Sequence, residues 1–127
     1  MPQSWPGTSC QVIPESNYVH VSSNGVDASV HGWWLKKSGD CPSKIRVTVR
    51  LQARLCQGWY CWWETVSQKT AKVYAKKHVP VHKRCDSTMT QGQWRAEVTA
   101  TIEIPWWFDK SVTKAFDPRF IWCVLYP

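Results

Sequence analysis

The sequence predicts an all-β fold: an antiparallel β-sandwich, Ig-like in general shape, of about seven strands stapled by disulfides. Three observations carry this. Apolar and polar residues alternate with period two over long stretches with no helical period, and an Asn-Gly pair sits between two such stretches. The third is six cysteines in a chain of 127 residues, an even count suited to a small disulfide framework. This length fits one domain of about 100–150 residues.

The first segment, MPQSWPGTSCQVIPES, carries three prolines and no alternation. It is expected to be an extended arm, residues 1–16, tied down chiefly through Cys10, ahead of a single domain over 17–127. YVHVSSNGVDASVHGWW reads as a hairpin in which Asn24-Gly25 forms a type I′ turn. That register sets Val21 against Ala28 and Val19 against Val30 on the buried side. His20 then faces Ser29 and Tyr18 faces His31 on the other, with Trp34 inward and Trp33 outward.

In KIRVTVRLQARLC, Ile45, Val47, Val49, Leu51, Ala53 and Leu55 point one way while the arginines, Thr48 and Gln52 point the other. Further strands are expected over Cys61–Val66 and Lys69–Lys77. WRAEVTATIEI puts Trp94, Ala96, Val98, Ala100, Ile102 and Ile104 on one face. One buried and one wet face is the mark of antiparallel sheets. A short helical turn is expected near Lys110–Phe116 and a last strand over Phe120–Tyr126.

Cys56 ends one strand and Cys61 begins the next, so a bridge between them would clamp Gln57–Tyr60 as a rigid, exposed hairpin tip. Of the many pairings six cysteines allow, Cys41 with Cys85 and Cys10 with Cys123 complete the expected set. Disulfides imply an oxidising compartment, hence a secreted protein. The start of the chain has neither the basic nor the apolar region of a leader, so secretion would imply one already removed. No window is apolar enough to span a bilayer.

Ten tryptophans exceed what one small core holds, and a strand sends neighbours to opposite faces. Part of this aromatic mass is therefore expected at the surface: Trp59 and Tyr60 on the clamped tip, and Trp106 and Trp107 in a loop after Pro105. The net charge of +7 is concentrated in KTAKVYAKKHVPVHKR, residues 69–84, which contains no acid. Lys72, Lys76 and Lys77 of this run are the candidate cationic contacts for an acidic partner.

No nucleophile elbow, phosphate loop, zinc-protease helix or dinucleotide fingerprint occurs. His20 and His31 are diagonal neighbours, but a metal site there would need a third ligand that the sequence does not point to. No enzyme activity, cofactor or metal is therefore expected. Exposed Trp, Tyr and Arg suit a protein-binding module or adaptor. The alternative is a carbohydrate- or cell-wall-binding module using aromatic platforms and the basic patch. Nucleic-acid binding is disfavoured by the disulfides.

The set HGWW (31–34), CP (41–42), VTVRLQARLC (47–56), CWWETV (61–66), KRC (83–85) and WRAEVTATIEI (94–104) resembles small secreted, cysteine-bridged β-domain proteins of actinobacteria. Among such proteins are the adaptor subunits of umbrella-shaped interbacterial toxin particles, which link larger subunits partly through an extended N-terminal arm. The resemblance implies a secreted protein partner and a role for the arm at 1–16; it assigns no particular residue.

Overall fold

The computed structural model describes residues 9–104 and 109–127. Among the described residues nine strands form two antiparallel sheets: β1 (Gln11–Ser16), β2 (His20–Val21), β3 (Asp27–Ser38), β4 (Lys44–Gln57), β5 (Tyr60–Tyr74), β6 (Val79–Arg84), β7 (Gly92–Glu103), β8 (Asp109–Ala115) and β9 (Arg119–Ile121). In the first sheet β3 is central. β1 and β2 lie end to end along one edge of it, and β6 pairs the other. The second sheet runs β5–β4–β7, with β8 and β9 end to end on the far edge of β7. The nine segments thus fill seven strand positions, and the chain changes sheet at β3–β4, β5–β6 and β6–β7. That is a Greek-key, Ig-like sandwich.

The alternation read from the sequence builds the core. β4 supplies Ile45, Val47, Val49, Leu51 and Ala53, and β7 supplies Trp94 to Ile102 at alternate positions, with Ile104 just past its end. They meet Ala28, Val30 and Trp34 of β3 and Val79 and Val81 of β6, all buried. Both core indoles are satisfied, as burial of a polar N–H requires. Trp34 Nε1 donates to the Val73 carbonyl at 2.9 Å and Trp94 Nε1 to the Cys123 carbonyl at 2.8 Å. Gly32 lies where the sheets come closest: a Cβ there would stand 2.6 Å from Val49 Cγ2 and 2.9 Å from Val98 Cγ2.

Several expectations are corrected. Within the expected extended arm, residues 11–16 form strand β1, paired along β3, with Val12 and Pro14 turned inward. Residues 1–8 lie outside the described residues. The hairpin register is as expected, His20 against Ser29 and Val21 against Ala28, but the turn is not type I′. Only Gly25 has positive φ (77°); Asn24 instead uses its Oδ1 to accept the Val26 and Asp27 N–H groups. An Asx-type loop replaces the mirror-image turn without moving the register.

The two strands expected over 61–77 are one, β5, interrupted by a bulge that leaves Val66 unpaired between Thr65 and Ser67. The bulge switches which parity faces inward, so the sequence reads as two strands. The helical turn near Lys110–Phe116 is strand β8. It is an exposed edge with neither face buried, so nothing imposes alternation on it, and Thr99–Thr113 and Thr101–Ser111 hydroxyl bonds tie it to β7. The last strand shortens to β9 plus a single bridge of Val124 to Ser87.

The disulfides are Cys56–Cys61, as expected, and Cys10–Cys41 and Cys85–Cys123 in place of Cys41–Cys85 and Cys10–Cys123. The reason is topological. β1 pairs the end of β3 and so carries Cys10 to the β3–β4 loop, whereas Cys85 follows β6 to the end where the chain terminates.

Candidate functional site

The β4–β5 hairpin is the longest ladder of the fold, from Lys44↔Tyr74 to Gln57↔Tyr60. Its tip is a two-residue loop, Gly58-Trp59. Gly58 has φ of 63° with open space around it, and Trp59 has no positive φ, the pattern of a II′ hairpin turn. The glycine is there for its backbone angle. Directly below, Cys56 pairs with Cys61 across the strands and their bridge closes the hairpin.

Trp59, held at this apex, is 94% exposed. Its ring meets Tyr60 edge-on, at 6.3 Å and 85°, while Tyr60 stacks on Trp62 at 5.6 Å and 26°. The Trp62 indole N–H donates to Glu64 at 2.9 Å. On the opposite face of the hairpin Arg95 lies over the Trp63 ring at 4.5 Å. Arg95 also donates to Gln52 at 2.7 Å, and Gln52 to Thr65 at 3.0 Å. A disulfide, an aromatic stack and this polar chain therefore hold the tip on both faces, so Trp59 is a rigid projection. Beside it, a cleft of about 400 Å³ is lined by Arg54, Cys56, Gln93, Phe120 and Tyr126, and the two aromatic rings are exposed.

The residues expected to form one surface do not converge. Trp59 and Tyr60 are at one end of β5, and Lys72, Lys76 and Lys77 are at the other. Lys72 lies thirteen positions along the chain from Trp59, about 40 Å at ~3.3 Å per residue. Trp106 and Trp107 lie outside the described residues. Lys72 lies 3.7 Å from Glu103, which Arg46 also approaches at 3.7 Å, so it belongs to a surface ion-pair cluster. Lys76 serves the β5–β6 turn: at φ 69° it turns its N–H to the Trp34 carbonyl. Only Lys77 faces a concavity, a cleft of about 460 Å³ between the edges of β5 and β6 that Lys69, His31 and His78 also line.

Sequence reasoning missed this cleft and His78; His31 was read only as a diagonal neighbour of His20. The bulge at Val66 puts Lys69, opposite Val49, on the inward side of β5, where an uninterrupted count from Cys61 would not place it. The His31 imidazole has its pKa lowered, first by burial and then by the neighbouring His78 and His20. Phe120 and Tyr126 were legible only as members of a terminal strand.

No family model matches the chain, and no curated protein or solved structure matches it significantly. All six cysteines are bridged, which is consistent with an oxidising, extracellular setting. Among the described residues no helix is long and apolar enough to cross a membrane.

Proposed function

We propose that the protein is a secreted, non-enzymatic binding module that docks onto another protein through the β4–β5 tip, with Trp59 as its anchor. The observation that carries this is a tryptophan 94% exposed on a loop fixed by a disulfide and by contacts on both faces. A tryptophan buries about 150–250 Å² on contact, and at ~25 cal/mol per Å² that is a gross gain of about 5 kcal/mol. A rigid loop loses little freedom on docking, so more of this gain survives the cost of association. Exposed aromatics seated in a partner's pocket are the usual hot spots of interfaces.

The ring geometry favours a protein pocket over a flat glycan. Trp59 and Tyr60 stand at 85° to each other, so they do not form a coplanar platform for successive sugar rings. A second reading, binding of an acidic wall polymer, rests on the β5–β6 side of the molecule. There Lys69 and Lys77 open into the cleft, and no carboxylate lines it. An adaptor role in a secreted assembly is the form of the first reading that the resemblance favours.

The test is a pull-down with the oxidised protein from the supernatant of its own producing strain, repeated in high salt and with Trp59→Ala. The expected result is a stoichiometric, salt-resistant protein partner lost with Trp59→Ala, and a melting temperature nearly unchanged by the substitution. Retention on walls or glycans that salt abolishes, with no protein partner, would replace the first reading by the second.

A further inference from the structure

The open side of the sandwich is bordered by two edge strands. Among the described residues β5 pairs only with β4, and β6 only with β3. The ladder fixes which backbone groups of β5 face outward. A two-residue hairpin loop makes the residues that flank it, Gln57 and Tyr60, a hydrogen-bonded pair. The next pair, Cys56 and Cys61, is then a non-bonded one, and its Cα atoms have the close spacing of that kind, 4.1 Å. The bulge places its extra residue in β5, so β4 keeps its alternation. Leu51, Val49 and Val47 therefore turn their N–H and C=O groups to Ser67, Lys69 and Ala71. Gln68, Thr70 and Lys72 turn theirs to the open side, where no strand meets them.

β6 offers no equivalent edge. The His31 backbone is engaged on the far side of β3: Asn17 N–H donates to the His31 carbonyl at 3.1 Å, and the His31 N–H donates to Asn17 Oδ1 at 2.7 Å. Its β6 neighbour Pro80 thus also faces away from the ladder, and a proline brings no N–H. β5 is the edge that can receive a strand. A strand added there lays alternate side chains beside Lys69 and Ala71, which face inward opposite Val49 and Val47. They enter the cleft of about 460 Å³, where Val73, Val79 and Pro80 form an apolar floor beside Lys69 and Lys77. A smaller cleft of about 280 Å³ continues it past Lys69 and Pro80 to Ser67 and His82. No carboxylate lines either cleft. Among the described residues Lys69 and Lys77 have no ion-pair partner.

We propose that the free edge of β5 over residues 68–72 takes up an extended, acidic segment of a protein partner as an added strand. The segment sets a carboxylate opposite Lys69, within reach of Lys77, and two residues on an apolar side chain over Ala71, Val79 and Pro80. Pairing with β5 of a second copy is disfavoured, because it sets two basic edges together; an inward lysine on an edge strand guards against it. A phosphate-rich wall polymer would meet the lysines but leave the apolar floor and the outward backbone groups unmatched. The site is at the other end of β5 from the Trp59 tip, so either can fail without the other.

The test is selection of linear peptides from a random display library on the immobilised, oxidised, full-length protein, followed by titration of the enriched peptide in synthetic form. The expected sequence alternates, with Asp or Glu two residues from Val, Ile or Leu. Its binding protects the amides of Gln68, Thr70 and Lys72 from hydrogen exchange. Lys69→Glu should weaken it by about 10-fold or more, because like charges then meet; Trp59→Ala should leave it unchanged. Thr70→Pro removes one outward N–H, a change edge strands tolerate, and should cost about 10-fold. The same peptide N-methylated at the alternate residues that face β5 tests the pairing without altering the protein, and should lose at least as much. Failure to enrich acidic peptides, protection confined to the Trp59 tip, or binding that survives both Thr70→Pro and N-methylation would overturn the proposal. So would retention of polyphosphate by the same lysines in place of any peptide, which would assign the cleft to an anionic polymer.

Discussion

Gly32 is the position at which the packing of the two sheets is most sharply testable. It stands on β3 facing the centres of β4 and β7, and a Cβ built on it falls 2.6 Å from Val49 Cγ2 and 2.9 Å from Val98 Cγ2. Comfortable carbon–carbon contact begins near ~3.5 Å, so Gly32→Ala forces the sheets or the valines apart by roughly 1 Å. Such overpacking costs about 1–3 kcal/mol, offset by ~0.5–1 kcal/mol because alanine has less backbone freedom to lose. The net expectation is a loss of about 1–2 kcal/mol. Val49→Ala alone deletes two fully buried methyl groups and costs about 2–3 kcal/mol. Combined, the new methyl occupies the space the old ones left. The double variant should therefore be more stable than the sum of the singles by about 1 kcal/mol or more. Urea unfolding of the four oxidised proteins measures this directly. A neutral Gly32→Ala, or strictly additive singles, would refute the close approach of the sheets at this point.

Three other outcomes are expected. Replacing the Cys85–Cys123 bridge by serines, with a sequence separation of 38, should cost about 4 kcal/mol; for Cys56–Cys61, with a separation of 5, the figure is about 2 kcal/mol. Denaturation of the two variants checks the order, and the reverse order would contradict the loop argument. Trp94→Phe should destabilise by about 2 kcal/mol or more, because it leaves the buried Cys123 carbonyl without its indole donor. Trp63→Phe, which only weakens an outer-face contact with Arg95, should cost about 1 kcal/mol or less by the same denaturation assay. The lowered His31 pKa makes the unfolded chain bind more protons than the folded one. Its contribution to stability is fully present above about pH 6.5, the unfolded value, and is lost as pH falls through the lowered folded value. Burial is the largest cause, and the neighbouring His78 and His20 act in the same direction. Melting curves in chelator should show wild type losing more stability than His31→Gln between neutral and mildly acidic pH; parallel losses would contradict the assignment.

The sequence was most informative where burial on one face constrained every residue. β4 and β7 were legible residue by residue because each sends alternate side chains into one core. The hairpin register survived a misread turn, because Val21, Ala28 and Val30 can face the core in only one way. The exposed edges were less legible. β8 has no buried face, so Val112, Ala115 and Phe116 mimic a helical spacing. β5 changes parity at Val66, and a one-residue insertion in a half-exposed strand leaves no mark in the pattern. Two disulfide partners were exchanged because pairing depends on which loops the Greek key brings to the same end, a long-range property. For the binding surface, the clamped tip was visible in CQGWYC. Its distance from Lys72 and Lys77 followed only from β5 being one strand instead of two.

The most direct test of the central proposal replaces Trp59 with a photo-crosslinking amino acid and, as control, does the same at Thr113 on the outer face of β8. Each oxidised protein is irradiated in the producing strain's supernatant at low and high salt. A single discrete adduct from position 59, persisting in high salt and absent from position 113, is the predicted result. Equal labelling from both positions, or none from position 59 while the wild-type protein still captures a partner, would place the binding surface elsewhere on the sandwich.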